Sequence, residues 1–205
     1  YRRAINGATA PLPGGVETTV FMVPGGAAVP GLRAALPSQL GSGVALIQPA
    51  SALPAITQAL VSIDGTTQTA NVSDSNAGAL GAGGTVGASA AALAQVKRPE
   101  VQLVGNSALV HGLWLSGSDS SVRGLAVRGF GNTSATTSAD VRLGGANALA
   151  EGNVIGTDAG GFADPGAAAR SGGSGLVLEG NNAVAQGNLI GWVGNTGLSA
   201  GPHLH

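Results

Sequence analysis

The chain has no cysteine among its 205 residues, which excludes both a disulfide framework and a thiolate metal site. Aromatic residues make up only 3% of the sequence and charged residues 9%. With so few rings, the interior has to be filled by Val, Leu, Ile and Ala, a composition suited to a thin core. Nine basic and 10 acidic side chains leave a formal net charge of −1. That balance provides no electrostatic footprint for nucleic acid or for an anionic membrane surface. No apolar run approaches the roughly 18 residues that span a bilayer. The first residue is Tyr1 instead of methionine, as expected of a processed or excised chain whose export signal is gone. The closing Gly201-Pro202-His203-Leu204-His205 reads as a tail, not as a metal site.

What the chain has in quantity is glycine, 36 residues, within a sequence that is 43% hydrophobic. Periodicity separates this from a disordered tract. One phrase recurs: an apolar pair two apart, a glycine, a second apolar residue and another glycine. It reads Val101-Leu103-Gly105-Val110-Gly112, Leu113-Leu115-Gly117-Val122-Gly124, Val141-Leu143-Gly145-Ala150-Gly152 and Leu176-Leu178-Gly180-Ala185-Gly187, with a partial copy at Leu125-Val127-Gly129. The first two copies abut, giving a unit of 12 residues. A fixed short period is the mark of a solenoid. Residues two apart in a strand share a face, so each leading pair is expected to point inward, with the glycines supplying turns.

The rest of the chain is read around these coils as one all-β domain over 1–205, regular from 101 to 200. Residues 1–8 predict a short helix stopped by glycine, which would cap the first coil. Strands are expected at 18–23, 44–48 and 60–65, each bounded by Gly or Pro. The Ala- and Pro-rich stretch 27–42 reads as an inserted loop. The tract 69–94, in which only Asp74 is charged, reads as a low-complexity loop insertion. Two further insertions interrupt the phrase, Gly129 to Ala139 and Gly156 to Ser174. Gly152-Asn153 and Gly187-Asn188 place asparagine at matching positions. This predicts a structural ladder of turn residues whose stacked amides bond along the axis.

Three passages carry a resemblance to a known family. Tyr1-Arg2-Arg3-Ala4-Ile5-Asn6-Gly7-Ala8 resembles the opening of the CSLREA-associated, secreted bacterial β-helix proteins of the pectin-lyase-like superfamily. Leu53-Pro54-Ala55-Ile56-Thr57 followed by Ile63-Asp64-Gly65-Thr66-Thr67-Gln68 is similar to an internal passage of that family. Gly152-Asn153-Val154-Ile155-Gly156-Thr157-Asp158-Ala159-Gly160 is similar to its coil turn. The resemblance implies an exported right-handed parallel β-helix with an N-terminal capping helix. The longer Ala-rich insertions at 27–42 and 69–94 depart from the family pattern.

Chemistry is sparse. The acids of the repeat region are Asp119, Asp140, Glu151, Asp158, Asp164 and Glu179, and they are scattered. A polysaccharide hydrolase needs carboxylates facing one groove, and a lyase needs a carboxylate cluster for calcium with a basic residue beside it. Calcium at Asp158 and Asp164 finds no glycine–aspartate array to support it. Arg123, Arg128 and Arg142 are expected to flank strands on the outer face. His111 is expected to point outward, by the same repeat offset as Arg123. Trp114, between inward Leu113 and Leu115, is expected to face outward, beneath a loop or as a stacking platform for a sugar. The expected function is therefore a non-enzymatic, exported structural or adhesive module of a bacterial surface protein or assembly, with no catalytic residue and no cofactor. Its expected partners are its own copies or neighbouring surface subunits, met through the C-terminal rung and the insertions, and polysaccharide. The alternative is a carbohydrate-active enzyme, a lyase or glycoside hydrolase, on the same scaffold.

Overall fold

The computed structural model describes residues 15–81, 85–86, 90–92, 95–106, 108–131 and 137–192. The expected capping helix at 1–8 and the last part of the 101–200 span lie outside them. The fold is nearly all-β. In chain order the elements are β1 (Glu17–Val20), β2 (Ala45–Ile47), β3 (Val61–Asp64), α1 (Thr66–Asn71), β4 (Ala79–Leu80), β5 (Thr85–Val86), β6 (Ala91–Ala92) and β7 (Val96–Lys97). There follow β8 (Val101–Val104), β9 (His111–Leu115), β10 (Ser121–Arg123), β11 (Ala126–Arg128), β12 (Ala139–Leu143), β13 (Leu149–Glu151), β14 (Val154–Ile155), β15 (Ser174–Leu178), β16 (Val184–Gln186) and β17 (Leu189–Ile190).

Three of the sheets are parallel. Sheet 1 runs β1-β3-β10-β13-β16, sheet 2 runs β2-β8-β11-β14-β17, and sheet 3 runs β9-β12-β15. From β8 onward the chain visits sheets 2, 3 and 1 in rotation. Leu103 lies beside Val127, Val122 beside Ala150, and Ala150 beside Ala185, so successive circuits take 24, 28 and 35 residues (103 to 127, 122 to 150, 150 to 185). An earlier circuit is made by β2, by Ile56 bridging to Leu115, and by β3.

This corrects the 12-residue reading. Val101-Leu103 belongs to sheet 2 and Leu113-Leu115 to sheet 3, so two adjoining phrases are two sides of one circuit. The same sequence pattern serves both sides because each needs an inward pair followed by a corner. His111 and Arg123, read as equivalent, therefore sit in different sheets. His111 is half-buried beside Ala139, and Arg123 lies exposed beside Glu151.

The core lies between the three sheets. Val101, Leu103 and Val127 from sheet 2, Leu113, Leu115, Val141 and Leu143 from sheet 3, and Val122 and Ala150 from sheet 1 form one buried cluster. Each buried Leu or Val side chain contributes about 1.5–3 kcal/mol. Phe130 fills the corner between sheets 2 and 3 and is fully buried.

The corner glycines have two separate causes. Gly124, Gly152 and Gly187 have φ of +63°, +61° and +61°, the left-handed region that glycine enters without a Cβ clash. At Gly117, Gly145 and Gly180 the backbone is not left-handed. A Cβ there would run into the carbonyl oxygens of Gln58, Gly117 and Gly145, respectively. These glycines allow one circuit to lie directly on the next, and bending of the chain is not what selects them.

The tract at 69–94 is more ordered than its composition suggests. It begins within α1 and continues into two nested antiparallel pairs, β4 with β7 and β5 with β6. Leu80 and Val96 at the base of this ribbon join Val44, Ala126, Val154, Ala159 and Leu189 in a second buried cluster. Ala126 and Val154 alternate with inward-facing Val127 and Ile155, so this cluster covers the outer face of sheet 2. The Asn76 amide ties the ribbon base down by donating to the carbonyls of Pro99 (2.7 Å) and Ala159 (3.0 Å).

Candidate functional site

A groove of about 370 Å³ lies at the corner where sheet 1 hands over to sheet 2. Its floor includes Gly65, Gly124 and Gly152, with Gly187 at the end, and its wall is the segment 95–100. One position before each floor glycine stands a polar side chain, so Asp64, Arg123, Glu151 and Gln186 form a row across four neighbouring strands.

The row is paired within itself. The Arg123 guanidinium donates to Asp64 Oδ2 at 2.6 Å, and Gln186 Nε2 donates to Glu151 Oε1 at 2.8 Å. The Thr66 N–H and hydroxyl add 3.0 Å and 2.6 Å hydrogen bonds to Asp64 Oδ1. Burial pushes the Asp64 carboxyl up, but the hydrogen bonds from Arg123 and Thr66 and the Arg123 charge outweigh it and hold the group below its ordinary value. Across the groove, Glu100 is 1% exposed. One of its oxygens accepts from Ser75 N–H at 2.7 Å, and the other has no partner among the described residues.

Asp64 and Glu151 stand in one row on one side of the groove, separated by Arg123. They do not face each other across a space where a glycosidic bond could lie, as acid and base or nucleophile must.

The other acids are tied elsewhere. Asp119 accepts from Asn147 Nδ2 at 3.0 Å. Asp158 accepts from Gln102 Nε2 (2.6 Å) and Arg128 Nε (2.7 Å). Asp164 pairs with Arg170, and Glu179 takes the forked guanidinium of Arg142 at 2.8 and 3.1 Å. Asp140 is buried against Ser171 and Phe130. Among the described residues no three of His, Asp and Glu gather as a metal site would require.

Trp114 lies in the middle of β9, beside Arg142 of β12 and half-buried. The Arg142 guanidinium stacks over the indole at 4.4 Å from the ring centroid, and the His111 ring stands 5.4 Å away, tilted. Burial, reinforced by the Arg142 charge and opposed by Glu179, holds His111 below its ordinary value. One indole face is therefore covered by the chain's own cation, a contact of about 0.5–2 kcal/mol. A sugar stacking on that face has to displace Arg142 from both Trp114 and Glu179.

Asn153 and Asn188 stand one above the other. Asn153 Nδ2 donates to Val122 O (3.0 Å) and to Asn188 Oδ1 (2.9 Å), while its Oδ1 accepts from Leu125 N–H (3.2 Å). Asn188 Nδ2 donates to Ala150 O at 2.9 Å, and Asn188 Oδ1 also accepts from Asn153 N–H at 2.9 Å. The left-handed backbone of this corner belongs to the preceding Gly152 and Gly187. A left-handed row of polar residues exists one corner earlier, at Asp119, Asn147 and Asn182, with φ of 55°, 56° and 58°. There too the side chains are linked, Asn182 donating to Asn147 at 3.3 Å.

Sequence reasoning passes over Glu100, Gln68 and the pairing of Asp64 with Arg123. Gln68 is fully buried, and its side-chain amide holds the backbone of Val23 by one donated and one accepted bond, both 2.8 Å. The only available signal is that Gln68 closes the Asp64-Gly65-Thr66-Thr67-Gln68 passage. Comparison with family models, curated proteins and solved structures finds no match to the chain.

Proposed function

We propose that the circuits are the coils of a right-handed parallel β-helix, and that the chain is a non-catalytic structural or adhesive module exported to a bacterial surface. Strand-to-parallel-strand crossovers are right-handed in about 98% of cases, which sets the hand of the winding. The resemblance of the N-terminal and coil-turn passages supports export.

The observation that carries the functional reading is the direction in which polar side chains pair. Asp64 with Arg123, Ser62 with Ser121, Asp119 with Asn147, Asn147 with Asn182, Arg142 with Glu179, Glu151 with Gln186, and Asn153 with Asn188 all bond from one coil to the next. In these pairs, polar groups that a carbohydrate-active enzyme would aim at a substrate are directed along the axis, where they join coil to coil.

Incubation with acidic and neutral polysaccharides, with and without calcium, tests this. The expected result is no release of reducing ends or unsaturated products above background, and no difference between the parent chain and Glu151→Gln. A product made by the parent chain and lost in Glu151→Gln would establish the enzyme instead.

A further inference from the structure

Two charges on the wall of the groove are left out of the pairing that surrounds them. Lys97 pairs with Asp74 at 3.1 Å and Arg123 with Asp64 at 2.6 Å. Arg98 and Glu100 stand two positions apart on the same wall, and neither makes an ion pair among the described residues. Glu100 is 1% exposed and Arg98 half-buried. Arg98 Nε and Glu100 Oε2 are both buried without a hydrogen-bond partner among the described residues.

The wall that carries them is held in place. Arg98 N–H donates to Gly78 O at 3.0 Å, and Pro99 O accepts from Asn76 Nδ2 at 2.7 Å. Glu100 Oε1 accepts from Ser75 N–H at 2.7 Å, and Glu100 O accepts from Ala45 N–H at 2.8 Å. Opposite this wall the floor leaves room, since a Cβ added at Gly152 would meet nothing within 4 Å. The groove volume, about 370 Å³, stands at the low end of the range for small-molecule sites, about 300–1,000 Å³.

A buried ion without a partner is costly, and two opposite ions held on one fixed wall without neutralising each other define what would relieve that cost. An anion alone would be drawn to Lys97, Arg98 and Arg123 but repelled by Glu100 and Glu151, all of which line the groove. A cation alone meets the reverse. A neutral sugar neutralises neither charge. An α-amino acid carries a carboxylate and an ammonium on one carbon, so it can meet two opposite charges presented side by side.

We propose that the groove binds a small zwitterion of the α-amino acid class, its carboxylate on the Arg98 guanidinium and its ammonium on the Glu100 carboxylate. The site is built from the wall and one coil corner, so it stands whether the coil stack has a structural or an adhesive role.

Saturation-transfer NMR titrations of the full chain, with each free L-amino acid of uncharged side chain offered singly, test it. At least one is expected to bind. Its N-acetyl and amide derivatives, each lacking one of the two charges, are expected to bind at least tenfold more weakly. Arg98→Gln is expected to weaken binding by a similar factor with the circular dichroism spectrum unchanged, because Arg98 has no ion pair to lose and its Nε no hydrogen bond. Glu100→Gln, which keeps an oxygen for Ser75 N–H, is expected to do the same. Binding of none of these amino acids, equal binding of the blocked derivatives, or undiminished binding by Arg98→Gln overturns the inference. So does tighter binding of inorganic phosphate, which would mark an anion site, or of glucose, which would mark a sugar site.

Discussion

Gly145→Ala is expected to destabilise the fold severely, Gly152→Ala moderately, and Gly160→Ala hardly at all. The three residues share a composition signal and differ in physical circumstance. A Cβ on Gly145 would fall on the backbone carbonyl of Gly117 in the coil beneath, and a backbone group cannot rotate aside. Opening that contact also disturbs the next one, because the carbonyl of Gly145 is what a Cβ on Gly180 would meet. Overpacking of this kind costs about 3 kcal/mol or more when the neighbour cannot yield. Gly152 has open space around it but a φ of +61°, for which a non-glycine residue costs about 1–2 kcal/mol. Gly160 is exposed, has nothing within 4 Å of an added Cβ and no left-handed backbone. Its substitution should fall within about 0.5 kcal/mol of neutral. Chemical denaturation of the three variants measures the order, and equal losses at Gly145 and Gly160 would mean that the coils do not approach as described.

Asp140→Asn is expected to raise the melting temperature at pH 8 and to make little difference near pH 4. Asp140 is fully buried at the start of β12, where it links two insertions. It accepts from Phe130 N–H at 3.1 Å and from the Ser171 hydroxyl at 2.6 Å, and Ser171 Oγ in turn accepts from Gly129 N–H at 3.0 Å. Burial pushes the Asp140 carboxyl up to about 8, against the opposing hydrogen bonds from Ser171 and Phe130 and the charge of Arg128.

The sign of the effect follows from this upward shift. In the unfolded chain the group loses its proton near 3.8, while in the folded chain it keeps the proton to about pH 8. Its contribution to stability is therefore fully present below the unfolded value and declines as pH rises toward the folded one. Each pH unit in that window removes about 1.4 kcal/mol. By pH 8 the loss amounts to several kcal/mol, which for a chain of this length is a shift on the order of 10 °C. Asparagine keeps a carbonyl for Phe130 N–H and an amide to donate to Ser171 Oγ, and does not titrate. Parallel melting curves for parent and variant from pH 4 to pH 8 would show that Asp140 does not carry this pH dependence.

The inward rows were legible in the sequence because strand alternation is local. Val141 and Leu143, or Leu113 and Leu115, announce a buried face within three residues, and the structure places all four in the core. The circuit length is not local. Insertions of unequal size at the corner between sheets 2 and 3 stretch successive circuits, and one phrase serves two sheets. The ribbon at 69–94 looks featureless because most of its small core is supplied from elsewhere, by Val44, Ala126, Val154, Ala159 and Leu189. Leu80 within the tract and Val96 just beyond it are the residues that meet them. Asp140 shows the limit most clearly, since its partners Phe130 and Ser171 lie 10 and 31 positions away on opposite sides in sequence. Trp114 was legible as outward-facing by alternation, but nothing in its neighbourhood in sequence reveals that Arg142, in the next strand of the sheet, stacks on it.

The stacking of coils can be tested without background because the chain has no cysteine. Ser62 of β3 and Ser121 of β10 are register partners, with their hydroxyls 2.9 Å apart although the residues are 59 positions apart in sequence. Replacing both by cysteine and oxidising the protein measures whether they are neighbours, with Ser62→Cys combined with Ser118→Cys as the out-of-register control. The coil stack predicts rapid intramolecular disulfide formation in the first pair and not in the second. Failure of the first pair to close, or equal closure of both, would contradict the arrangement from which every other conclusion here is built.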